Sequence, residues 1–144
     1  MSGDDAVPTP PLRPEELDRL QAQDPGARAE WALADIARWE EAWLLENADG
    51  WVLFKLANAP EGRSPWALPL WPRQELAALA ARDAGEQPRR LDIEALLDDL
   101  LPLVAERGWQ VMACPAKDNG SVEDARAFAA RLQDVWAVVE EDGE

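Results

Sequence analysis

Residues 41–57 read EAWLLENADGWVLFKLA, and this stretch decides the fold class. Two runs rich in tryptophan, leucine, valine and phenylalanine flank Asn47-Ala48-Asp49-Gly50. Asp49 and Gly50 supply the side chain and the glycine that a tight turn favours. The pattern therefore predicts two strands, Glu41 to Glu46 and Trp51 to Ala57. Val52, Phe54 and Leu56 would face one side of the sheet, and Trp51, Leu53 and the stem of Lys55 the other.

Upstream, the apolar period is helical. Ala29, Ala32, Leu33 and Ile36 form a stripe on a helix from about Ala27 to Arg38, with Arg28, Glu30, Asp35 and Arg38 expected to reach water. Trp39 falls at either the helix end or the strand start. Asp24-Pro25-Gly26 separates this helix from a short one over Glu15 to Gln23, which Pro14 can start. Prolines at 8, 10, 11 and 14 mark residues 1–14 as a disordered or extended tail. The rest, residues 15–144, reads as one domain.

Downstream, residues 58–65 have loop composition, and Trp66 to Trp71 is a third, short strand. Pro65, Pro69 and Pro72 suggest an edge or irregular strand, because proline cannot donate to a ladder. A helix over Arg73 to Arg82 follows, then a loop or brief strand over Gly85 to Arg90. Asp92 is placed to cap a helix from Ile93 to Arg107, with Gly108 ending it and Pro102 kinking it. Trp109 to Cys114 is a fourth strand and Lys117 to Gly120 a turn. Ser121 with Asp124 resembles a capping box for a last helix, which buries Ala125, Ala129, Leu132, Val135, Trp136 and Val139. The expected fold is α+β: a small, mostly antiparallel sheet of about four strands packed against three to four helices.

Composition narrows the function. The 144 residues carry 29 acidic and 14 basic side chains, no histidine and one cysteine, for a net charge of −15. Residues 1–50 and 92–144 hold nets of −8 and −9, while residues 51–91 hold +2. Without histidine the commonest acid–base group and a common zinc ligand are missing. A serine–histidine triad is excluded, and Cys114, with no histidine to activate it, reads as a buried thiol. The scattered glycines form no phosphate-cradling loop. No metal or organic cofactor is implied. The charge would repel nucleic acid and anionic lipid and attract basic partners. Neither a secretory leader nor a spanning segment is visible, and the lone cysteine suits a reducing compartment, so a cytoplasmic location is expected.

An ordered series of landmarks resembles a bacterial family of unknown function, DUF2750. It begins with Trp43-Leu44-Leu45 and Asp49-Gly50-Trp51. Ala67-Leu68-Pro69-Leu70-Trp71-Pro72 follows, then the alanine-rich helix with Leu76 and Ala77. Leu91-Asp92-Ile93 opens the leucine-rich helix that carries Pro102, and Val111-Met112-Ala113-Cys114-Pro115 closes the series. The resemblance, roughly Trp43 to Pro115, implies an architecture and brings no catalytic residues.

Two groups of side chains are candidates for contact with a partner. Glu94, Asp98 and Asp99, with Glu140 and Glu141 near the C-terminus, could meet arginine or lysine on another protein; the plainer reading is a solvated face. Adjacent acids on a helix diverge by about 100°, and this segment lacks the oxygen-rich loop that calcium needs. Trp43, Trp51, Trp66, Trp71 and Trp109 could line a groove. Core packing is the better reading for Trp43, Trp71 and Trp109, and Trp66 is the one expected to be partly exposed. These features favour a non-enzymatic acidic binding protein, in its specific form an immunity protein neutralising a cytoplasm-acting bacterial toxin. The alternative is a small regulatory or housekeeping domain that takes a ligand or peptide in a tryptophan-rich groove.

Overall fold

The structure, a computed structural model, describes residues 11–56, 64–116 and 119–142. Most of the expected tail and the 58–65 loop lie outside these residues. Leu12 marks where the described chain docks: its amide donates to Glu75 Oε2 at 2.6 Å. Helix α1 (Pro14–Ala22) follows, with the Glu16 carboxylate accepting from the Arg13 amide at its start. The backbone N–H of Arg13 holds the Glu16 carboxyl below its ordinary range.

Helix α2 (Pro25–Trp39) begins at Asp24, whose carboxylate accepts from the amides of Gly26 and Ala27. Its apolar stripe is as the spacing predicts, but the buried surface is wider. Arg28 and Asp35, expected to reach water, are buried. The reason is helical phase: positions 28, 32 and 35 share a face with each other, four and three residues apart. That face meets a second apolar cluster, containing Ala32, Leu45, Trp71, Leu76 and Met112, while Leu33, Ile36 and Ala37 meet the first.

Burial of two charged groups is tolerated because each is saturated with partners. Arg28 Nε donates to the Cys114 carbonyl at 2.7 Å, and Nη1 to the carbonyls of Gln23 at 2.8 Å and Leu20 at 3.4 Å. Asp35 accepts both arms of Arg73, at 2.6 and 3.1 Å. Burial opposes the Arg73 charge, but the hydrogen bond and attraction from Asp35 outweigh it and raise its pKa.

Strand β1 (Glu41–Asn47) turns at Asn47–Gly50 into β2 (Gly50–Trp51), antiparallel as expected. The second run then departs from a single strand. The chain leaves the first sheet after Trp51, and β3 (Phe54–Lys55) joins a second sheet. Val52 and Phe54 are buried and Lys55 is exposed, so the alternation survives although the strand is divided.

Strand β4 (Trp66–Leu70) lies inside the second sheet, with β3 on one side and a later strand on the other, not at an edge. Its partner β6 (Gln110–Ala116) runs parallel, and β7 (Asn119–Asp124) is antiparallel to β6. Proline is accepted in this interior strand because β3 covers only Trp66 and Ala67, leaving Pro69 on the half with one ladder neighbour. Trp71 then exchanges two backbone hydrogen bonds with Trp43, at 2.7 and 2.9 Å, stitching the sheets together. Its indole N–H donates to the Pro115 carbonyl.

Helix α3 (Gln74–Ala80) precedes β5 (Gln87–Asp92), which pairs with β1 along its whole length and forms the outer margin of the first sheet. Gln87-Pro88-Arg89-Arg90 has weak strand propensity, so only the pairing with β1 settles the loop-or-strand alternative. Arg89 bonds Glu46, and Arg90 bonds Glu41 and Asp92. The hydrogen bond to Glu41 is the chief cause of a raised Arg90 pKa. Asp92, engaged by Arg90, does not cap the next helix through its side chain.

That helix is continuous over residues 93–106, as α4 (Ile93–Ala95), a π-helical turn (Leu96–Leu100) and α5 (Leu101–Glu106). The widened turn precedes Pro102, whose ring crowds an ordinary helical register. Gly108, at φ 75°, turns the chain into β6 as anticipated.

Every residue of β6 is buried. Val111 and Ala113 enter the first cluster, and Met112 and Cys114 the second. Between Ala113 and Ala116 the pairing with β7 shifts register, and Cys114 adopts φ 51°. Strand β7 was not anticipated. Ser121 belongs to it, opposite Ala113, so the expected capping box does not form; Asp124 is the cap, accepting from the amides of Arg126 and Ala127. Helix α6 (Ala125–Asp142) follows, burying Ala125, Phe128 and Leu132 against the first cluster. The α+β class and mostly antiparallel pairing hold, with the strands divided, among the described residues, between two bridged sheets and five helices around them.

Burial pushes the Cys114 thiol up to about 12 from an ordinary 9.0. In the unfolded chain the thiol ionises first, so native stability is intact below pH 9.0 and falls as pH rises toward 12. The expected slope is roughly 1.4 kcal/mol per pH unit in that window. The chain has no tyrosine, so the thiol should dominate the alkaline limb. Urea unfolding at pH 8.5 and 10 should show the fall in the native chain and little of it in Cys114→Ala; equal slopes would refute it.

Candidate functional site

The acidic candidates sit on the 93–106 helix. Ile93, Leu96, Leu97, Leu100, Leu101 and Val104 are buried against the first cluster, which fixes the helix rotation. Glu94, Asp98, Asp99 and Glu106 are consequently exposed. Among the described residues no arginine or lysine makes an ion pair with any of the four. Several acids elsewhere are matched: Asp35 by Arg73, Glu46 by Arg89, Glu41 and Asp92 by Arg90, and Glu30 and Glu123 by Arg131. Four exposed acids without an ion pair among the described residues therefore share this one helix. Glu140 and Glu141 fall in the last turns of α6, and their side chains lie outside the described residues.

The tryptophans divide as their strands dictate. Trp71 is fully buried, and Trp43 and Trp109 pack against the core while keeping partial access. Trp66 is 40% exposed, at the start of β4. It stands opposite Lys55, and a different pair lines the groove: Trp51 and Trp109, with Leu53, Leu103 and Arg107, surround about 440 Å3. The Arg107 guanidinium lies over the Trp109 ring, 5.4 Å from its centroid. The structure therefore brings Glu94, Asp98 and Asp99 onto one helix and leaves Trp66 apart from the tryptophan groove.

A second, more polar cleft of about 420 Å3 shares Arg107 and Trp109 with that groove and adds Gln110 and Arg126. No spacing rule would have selected it. Arg107 ends a helix, Gln110 begins a strand, and Arg126 opens the last helix after an unanticipated strand. Among the described residues there is no group of three or more carboxylates or thiols placed to hold a metal ion. Likewise, no described helix is long and apolar enough to cross a membrane.

An α+β protein with two bridged sheets, an unpaired acidic helix and two adjoining clefts is the class these features define. The chain belongs to the DUF2750 family, proteins of unknown function. The family's model matches residues 29–132, from within α2 to within α6 and well beyond the Trp43–Pro115 landmarks. No curated protein and no solved structure matches the chain.

Proposed function

We propose that this is a non-enzymatic, cytoplasmic binding protein whose acidic helix meets a basic protein partner, specifically as an immunity protein against a bacterial toxin acting in the cytoplasm. The observation that carries the reading is the set Glu94, Asp98, Asp99 and Glu106, exposed and without a cationic partner among the described residues. Such a patch accelerates encounter with a basic cleft and orients it, and the effect is screened by salt. The surrounding helix is anchored by its apolar face, so the charges are presented on a rigid support.

Affinity capture at low salt from the native cell should recover a basic partner. The triple variant Glu94→Lys, Asp98→Lys, Asp99→Lys should slow association with it by at least about tenfold while the fold is unchanged. Capture of the same partner at an undiminished rate would refute the reading. Trp51 and Trp109 lining one groove favours a second reading, a ligand or peptide site. There Trp51→Ala should abolish binding, and the charge reversals should leave it intact.

A further inference from the structure

We propose that the polar cleft between the end of the 93–106 helix and the start of α6 binds a small oxyanion, a phosphate or carboxylate group, through Arg107, Arg126 and Gln110. The site is independent of the acidic surface. Three observations converge on it. First, Arg107 and Arg126 both line the cleft, and neither makes an ion pair among the described residues of a strongly acidic chain. Arg107 rests on the Trp109 ring, which positions its guanidinium without neutralising it.

Second, Gln110 is a polar side chain only 8% exposed that lines the same cleft. Its backbone is held between Ala67 of β4 and Asp124 of β7, which fixes where its side chain enters the cleft. The amide carries two N–H donors at the cleft wall, and one of them can donate to a ligand oxygen. Third, Arg126 also borders the apolar groove formed with Leu97, Leu101 and Ala129. Its aliphatic stem can rest on that groove while the guanidinium faces the polar side.

Asp124 lines the cleft too, and its charge opposes an anion. Its Oδ2 atom, however, is directed at the Arg126 and Ala127 amides, at 3.0 and 3.1 Å, where it occupies the helix end itself. Oxyanion recognition therefore falls to the two guanidinium groups and the amide, a planar and donor-rich set suited to several oxygens at once. Ser64, whose Oγ accepts from the Trp66 amide, adds a hydroxyl at the rim.

The test uses the full chain labelled with 15N, at low ionic strength, with sodium pyrophosphate and sodium malonate titrated separately. The Trp109 indole and Gln110 amide signals, assigned with Trp109→Phe and Gln110→Met, should shift saturably for at least one of the two, and the tighter identifies the source of the oxyanion. Arg107→Gln and Arg126→Gln, both at exposed positions, should each weaken binding about tenfold. Asp124→Asn keeps a capping side chain and should tighten it several-fold. Shifts that fail to saturate with either salt, that sodium chloride reproduces at equal ionic strength, or that persist unweakened in both arginine variants would overturn the proposal.

Discussion

Arg28→Met should destabilise the protein by about 3–5 kcal/mol, an effect usually reserved for the loss of a buried charge network. The guanidinium is 1% exposed and serves parts of the chain far apart in sequence: the carbonyls of Leu20 and Gln23 at the end of α1, and that of Cys114 in the β6 bulge. A helix C-terminus presents partial negative charge, so the cation also stabilises α1 electrostatically. Methionine matches much of the stem's volume and leaves the Gln23 and Cys114 carbonyls short of this donor, while that of Leu20 keeps the Gln23 amide, at a cost of roughly 1–3 kcal/mol for each one left unsatisfied. Arg28→Lys should recover only part of the loss, because one ammonium cannot reproduce the rigid fork. Urea unfolding measures the change, and amide exchange in residues 14–22 should rise with it as α1 loosens. A loss below about 1 kcal/mol would mean water replaces the guanidinium freely.

Arg73→Met is expected to have an effect of similar size by a different route. It strands the Asp35 carboxylate, 8% exposed on its side chain, without the two-armed partner that justifies its burial. Breaking such a pair from one side costs about 3–5 kcal/mol, whereas replacing both members by apolar groups can be nearly neutral. The double variant Asp35→Leu, Arg73→Met should therefore recover most of the stability lost by Arg73→Met. A double-mutant cycle followed by thermal or urea unfolding decides it. If the double variant is as unstable as the sum of the single ones, the pair is not energetically coupled.

Elements whose residues agree with their surroundings were legible beforehand. The apolar period of residues 29–36, the Asp49-Gly50 turn and the Gly108 stop each follow from local chemistry, and the structure contains all three. What escaped were features decided at long range. Ser121-Val122-Glu123 looks like the approach to a helix until β6 is beside it to pair with. Arg28 and Asp35 look solvent-directed until two separate clusters are seen to wrap α2. Interior placement of Pro69 depends on how little of β4 its neighbour β3 covers.

The candidate sites divide along the same line. Glu94, Asp98 and Asp99 were recognisable because an amphipathic helix sorts its own acids outward. The groove was harder to place: of five candidate tryptophans the flanking loop and proline singled out Trp66, whereas its walls are Trp51 and Trp109, brought together from the β-turn and the approach to β6. The Arg107, Gln110 and Arg126 cleft left no trace in spacing, since its members come from three elements whose meeting depends on β7.

The outermost strand of the first sheet, Gln87–Asp92, has a consequence for how the protein coexists with copies of itself. A bare ladder rim invites intermolecular zippering, yet this rim carries a proline that cannot offer an amide and two consecutive arginines, ion-paired with Glu46, Glu41 and Asp92, that keep its flank charged and hydrated. Fibrillar stacking through that side of the first sheet is thereby discouraged.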